Sequence, residues 1–181
     1  MHPKAMILTF ACTMVLSVAM ATEPRGPGMN STGDVYVDSL FSALGKATSD
    51  EEKAVLYYDL SWHWGFTDTV KAMEALKEAE RWMDGKDLMA RAKHLFHHAG
   101  VFYNHDKEKA QQLYMEAEAL FSRVESPQSY HYQAMLWSNY ATLEQSAGND
   151  NAYMEIKLEK CITLAKKAGS IGTLSSYYTD L

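Results

Sequence analysis

From Asp34 onward apolar residues return every three or four positions, without the strict alternation of a half-buried strand and with Pro127 as the only later proline. That period predicts helices throughout. The breaks between them carry stop and start chemistry. Ser49 with Glu52 fits a capping box, Asp84-Gly85 makes a turn, and Ser126-Pro127 is an N-cap followed by proline at the first helical position. Gly148-Asn149-Asp150 and Ala168-Gly169-Ser170 read as C-cap glycines, each followed by a new N-cap. Together these signals divide the chain into eight helices, at about 34–46, 50–64, 68–83, 87–103, 107–123, 128–146, 151–167 and 170–180. Connections of a few residues make sequence neighbours pack antiparallel, as a run of helical hairpins.

Three segments then align on one pattern. The first helix of each pair carries Tyr57-x-x-Leu60-Ser61-x-x-Trp64, Phe96-x-x-Ala99-Gly100-x-x-Tyr103 and Trp137-x-x-Tyr140-Ala141-x-x-Glu144. The second carries Ala72-x-x-x-Leu76-x-x-Ala79, Ala110-x-x-x-Tyr114-x-x-Ala117 and Met154-x-x-x-Leu158-x-x-Cys161. Small residues at Ser61, Gly100 and Ala141 let the paired helix approach closely, while large residues a turn away fill the space beside it. The pattern resembles the tetratricopeptide repeat. It departs from that family in its spacing, with Tyr57, Phe96 and Trp137 lying 39 and 41 residues apart against a family period of roughly 34. It departs also in Glu144 and Met154, where an aromatic and an alanine are expected. The longer period resembles the helical repeat arrays of bacterial exported or sensory proteins.

The resemblance implies an all-α fold, a right-handed solenoid of antiparallel helical hairpins with three repeats at about 50–83, 87–123 and 128–168. A lone helix precedes them, striped by Val35, Val37, Leu40, Phe41 and Leu44, and an incomplete fourth repeat follows at 170–181. Repeat ends need a polar outer face. The unpaired last helix therefore leaves a surface for self-association, or belongs to a larger signal-transduction protein of which this chain is the sensory part.

Composition narrows the partners. Seventeen basic residues face 23 acidic ones for a formal charge of −6, with no basic stretch, so nucleic acid is excluded as an expected partner. Residues 1–21 have the layout of a secretory signal peptide, with Lys4, an apolar run from Ala5 and the small-x-small end Ala19-Met20-Ala21; 22–33 follow as a polar linker. Export to the periplasm or the cell exterior is expected, with an uncleaved membrane anchor as the alternative and no span in the mature chain. Of the two cysteines only Cys161 then remains, in a small-residue slot that predicts a buried, inert thiol.

Catalytic constellations are missing from the sequence: it holds no Gly-rich phosphate loop, no Gly-x-Ser-x-Gly elbow and no cysteine beside a base. No enzyme activity and no cofactor are expected. His94, His97, His98 and His105 form the one cluster with metal-ligand character, weakened by the lack of a His-Glu-x-x-His arrangement and of further ligands nearby. Imidazoles on a partner-facing surface are the plainer reading. On the helix with Tyr57, Tyr58, Trp62 and Trp64, the residues Tyr57, Leu60 and Trp64 take the core spacing. Tyr58 and Trp62 then either face a binding groove or pack under residues 34–46. The resemblance implies a concave groove lined by Val55, Tyr58 and Trp62, then His94, His97 and Val101, then Met135, Ser138 and Thr142. A protein- or peptide-binding scaffold is the function this implies; a histidine-dependent metal-binding protein is the other alternative.

Overall fold

A computed structural model describes residues 32–180, and every regular element among them is helical. The leader read at 1–21 and most of the linker read at 22–33 lie outside the described residues, as does Leu181. The helices are α1 (Val35–Leu44), α2 (Asp50–Trp64), α3 (Thr69–Trp82), α4 (Leu88–Phe102), α5 (Lys107–Phe121), α6 (Pro127–Ser146), α7 (Asp150–Ile156), α8 (Ile162–Ala168) and α9 (Ile171–Thr179). A π-helical turn, Lys157–Cys161, joins α7 to α8 with helical backbone angles at both junctions, so the three form one rod. No helix among the described residues is long and apolar enough to cross a membrane.

The starts are held by short polar side chains. Ser49 and Glu52 form the full capping box of α2, and Ser126 caps α6 with Pro127 behind it. Asp34, Asp68, Asp87 and Asp106 accept backbone N–H groups at the starts of α1, α3, α4 and α5, which satisfies donors no helix can satisfy internally. The last two starts differ from expectation. Asn149 and Ser170 make no side-chain cap, because the Asn149 amide donates to Glu144 and the Ser170 hydroxyl lies 3.2 Å from His131 Nδ1. Gly148 and Gly169 do take positive φ, 89° and 67°, where a side chain would be strained.

Four apolar clusters follow one another along the chain. Val37 and Leu40 of α1 cover Leu60 and Ala75. Tyr58, Ala72, Leu76 and Ala79 join α2 to α3 and reach Val101 of α4. Phe96, Tyr114, Phe121 and Leu136 bind α4, α5 and α6 together. Ala134, Cys161, Ile162 and Tyr177 close the far end. The positions that carry the sequence pattern in α2 to α5 are mostly interior: Leu60, Ser61, Ala72, Leu76, Ala79, Phe96, Ala99, Gly100, Ala110, Tyr114 and Ala117 are all buried.

The order of contacts is regular. Between α2 and α4 they climb together: Tyr58 meets His94 and His97, a Cβ on Gly100 would meet Trp62, and one on Gly65 would meet Val101. Between α5 and α6 they run oppositely, Lys107 with Ser146, Gln111 with Glu144 and Tyr114 with Asn139. They run oppositely again beyond α6, Ser138 with Lys157 and His131 with Ser170.

Two expectations are corrected. Residues 34–46 cover Leu56, Leu60, Tyr57 and Trp64, not Tyr58 and Trp62, because α2 turns its Tyr58 side toward α4. In the third pair Met154 and Leu158 are exposed and Lys157 takes the interior position with Cys161. The extra residue of the π turn rotates the preceding helix, and the buried ammonium of Lys157 is received by Ser138 Oγ and Asp180 Oδ2, each at 2.9 Å. A buried ammonium without such partners would be costly.

Gly100 also serves a different neighbour from the one its repeat position suggests. A Cβ there would lie 2.8 Å from the Trp62 ring of α2. Gly100→Ala should therefore destabilise the fold by about 1–3 kcal/mol through overpacking. In a Trp62→Ala background the same change should stabilise by about 0.5–1 kcal/mol through helix propensity. Urea denaturation of the four proteins of this cycle checks both signs; equal effects in the two backgrounds would refute the wedge.

Candidate functional site

A cleft lies where the start of α2, the end of α3 and the start of α4 meet, with a volume of about 390 Å³. Its walls are Asp50, Glu51, Ala54, Val55 and Tyr58 from α2, Arg81 to Asp84 from the end of α3, and Asp87, Ala90 and Lys93 from the next start. The capping box and the Asp87 cap fix the two helix starts, so the cleft is bounded by secondary structure on three sides. Trp82 gives it an aromatic wall, with Lys53 Nζ 3.9 Å from the ring centroid. A second hollow of about 330 Å³ lies at the other end, among Tyr140, Glu144, Ile156, Glu159 and Lys160.

Tyr58 forms the inner end of the cleft. It is buried, with its ring stacked on His97 at 4.3 Å and 3°. Its hydroxyl lies 3.5 Å from His94 Nδ1 and 3.9 Å from Met83 Sδ, both at the long end of hydrogen-bonding range. Behind it His97 has an Nδ1 shut off from water with no partner among the described residues. Burial holds the imidazoles of His94, His97 and His98 below their usual range, that of His97 down to about 3. Burial also raises the Tyr58 hydroxyl. Neutral imidazoles here act as aromatic packing units and hydrogen-bonding groups.

The side chains expected to line one groove are distributed unevenly. Tyr58, His94 and His97 come together, with Val55 at the cleft wall, 42% exposed. Trp62 is half-buried, set edge-on to Phe66 at 5.4 Å. Val101 is buried in the α2–α3 cluster, and Ser138 is buried on Lys157. These two are corrected from groove residues to interior ones, because the stacking of α4 on α2 and of the α7–α8 rod on α6 covers them. Thr142 is turned onto the Ser138 carbonyl at 3.1 Å, and Met135 packs on the central cluster.

The histidine cluster is likewise split. His94 and His98 have ring centroids 6.2 Å apart, and His97 faces Tyr58. His105 donates its Nε2 proton to the Gly65 carbonyl at 2.8 Å, tying two interhelical loops. Among the described residues no three histidine, cysteine or acidic side chains gather as a metal-binding group. Cys161 is buried, its thiol pushed up to about 12 by burial, which agrees with an inert thiol. Trp82, Asp84, Asp87 and Lys93 were not among the site residues expected from the sequence, where Asp84 marks only a turn. They come from the end of α3 and the start of α4, and only the turn at Asp84-Gly85 marks their meeting.

Compared with protein-family models, with curated proteins and with solved structures, the chain matches none.

The buried imidazoles make stability depend on pH. Below about 6.5 the unfolded chain takes up protons on His94, His97, His98 and His131, whose folded values are all lowered by burial. Stability should fall as pH drops through that value and keep falling toward His97 at about 3. Asp59 has the opposite sign: burial pushes its carboxyl up from 3.8 to about 6, so its contribution declines as pH rises across that window. The imidazoles are more numerous, so the urea midpoint should be lower at pH 5 than at pH 7.5. His97→Phe should flatten the profile and Asp59→Asn should steepen it; unchanged slopes in both variants would contradict the assignment.

Proposed function

We propose that this chain is a non-catalytic scaffold that binds a protein or peptide, built as a right-handed solenoid of tetratricopeptide-type hairpins. The observation that carries the reading is the order of the helix contacts. Residue pairs between α2 and α4 rise together, whereas those between α5 and α6, and between α6 and the rod after it, run in opposite order. Parallel first helices, each followed by an antiparallel second helix, are the layout of stacked hairpins. In such a stack each unit contacts only its neighbours and the first helices present a long common surface. Buried small residues at Ala72, Ala79, Ala99, Gly100, Ala110 and Ala117 support the same reading, since they allow that close stacking.

The binding face is assigned to the cleft and the α2–α4 surface beside it, with Val55, Trp62 and His94 as contact residues and Tyr58 as the floor. Its aromatic and weakly polar character suits a peptide segment. Export through residues 1–21 belongs to the same proposal and puts the scaffold in the periplasm or outside the cell.

Selection of a random peptide display library on the full chain is expected to enrich a recurring motif, and Trp62→Ala with His94→Ala should weaken the enriched peptides at least about tenfold. Full retention of every peptide by that variant would overturn the assigned face, and the absence of any enrichment would overturn the scaffold reading. Mass spectrometry of the exported product should find an N-terminus at Thr22; an intact Met1 N-terminus would count against cleavage.

A further inference from the structure

The walls of the cleft between α2, α3 and α4 do not share their charge evenly. Glu51 is paired with Lys93 at 3.5 Å, Asp50 with Lys53 at 3.8 Å, and Arg81 is drawn away to Glu78 at 2.6 Å. What remains is Asp84 and Asp87. Each spends one oxygen on a local backbone N–H, those of Lys86 and Met89 at 2.9 and 2.8 Å. Neither has a basic partner among the described side chains.

The backbone adds to this. The two helix starts on the cleft are capped, by Ser49 with Glu52 and by Asp87, so their positive ends are largely answered. The end of α3 is not: Met83 turns extended, at φ −91° and ψ 148°, and donates no capping bond back to the helix. The last carbonyls of α3 therefore bring partial negative charge to the same place. Beside it stand apolar Val55, Ala54 and the Trp82 wall, and at the inner end the weakly engaged hydroxyl of buried Tyr58.

From this we infer that the cleft takes a peptide segment carrying an arginine or lysine next to a large apolar side chain. The cation lies between Asp84 and Asp87 at the end of α3, and the apolar side chain packs on Val55 and Trp82. The cleft volume of about 390 Å³ is at the small end of ligand-site sizes and suits two side chains rather than a long segment. Complementary charge sets the choice of peptide, and the apolar contact holds it. The inference rests on the scaffold reading and specifies the chemistry of its partner.

The test uses the full chain and three fluorescein-labelled nonapeptides with alternating leucines, in which the intervening residues are arginine and lysine, glutamine, or glutamate. Binding is followed by fluorescence polarisation at ~0.15 M salt, where charges farther apart than about 8 Å are largely screened. The basic peptide should bind about tenfold or more tightly than the glutamate peptide, with the glutamine peptide between them. Asp84→Asn with Asp87→Asn should weaken the basic peptide about fivefold; asparagine preserves the cap of α4, and an unchanged helical circular dichroism spectrum checks that the fold persists. Glu155→Gln with Glu159→Gln removes the same charge at the other hollow and should leave affinity unchanged. An equal loss in both double variants, or equal binding of the basic and glutamate peptides, would overturn the inference. Failure of the basic peptide while display still enriches other motifs would overturn it and leave the scaffold reading intact. Failure of every peptide would overturn both.

Discussion

Close approach between α2 and α4 governs the arrangement of the rest. Gly100 offers no Cβ, and the Trp62 ring occupies the space that a Cβ would fill. Three residues before Gly100, His97 lies flat on Tyr58 at 4.3 Å, and at the loop end His105 holds the Gly65 carbonyl. These contacts fix how α4 lies on α2 along its length. That in turn brings Val101 onto the α2–α3 cluster and places the start of α4 beside the end of α3, where the cleft is formed.

Such closeness has a polar cost. Histidines and a tyrosine hydroxyl are enclosed, and desolvation moves their titration away from ordinary values. The opposite end of the molecule meets a similar cost with better pairing. Lys157 is buried but engaged by Ser138 and Asp180, with the Tyr177 ring 4.9 Å from its ammonium. Ile171 at 82% exposure and Tyr178 at 52% leave α9 with little apolar cover, so this polar tie and the burial of Tyr177 do much to hold it. The two ends differ accordingly: the first has an open cleft whose Asp84 and Asp87 meet no basic side chain among the described residues, and the second has an enclosed cation with its partners supplied from within.

The helices were legible because the signals for them are local. A period of three to four, the Ser49–Glu52 box and the Ser126-Pro127 start act within a few residues and need no distant partner. Buried small positions were legible for the same reason in the first two pairs, and Cys161 in the third. The third pair failed at Met154 and Leu158, since a π turn leaves no signature in apolar spacing. Its stability depends on Ser138 and Asp180, 19 and 23 residues from Lys157.

Residue by residue, the sequence by itself determined that the described chain is helical, where most helices begin, and which small residues face inward. Those properties follow from backbone hydrogen bonding, capping and side-chain size, all of which act over one or two turns. Tertiary structure alone decided that Tyr58 stacks on His97, that Val101 and Ser138 are closed inside, and that Asp84 and Asp87 stand on one cleft with no basic partner among the described side chains. Each of these depends on which faces of separate helices meet, and a side chain's burial and charge environment belong to that meeting rather than to its neighbours in the chain.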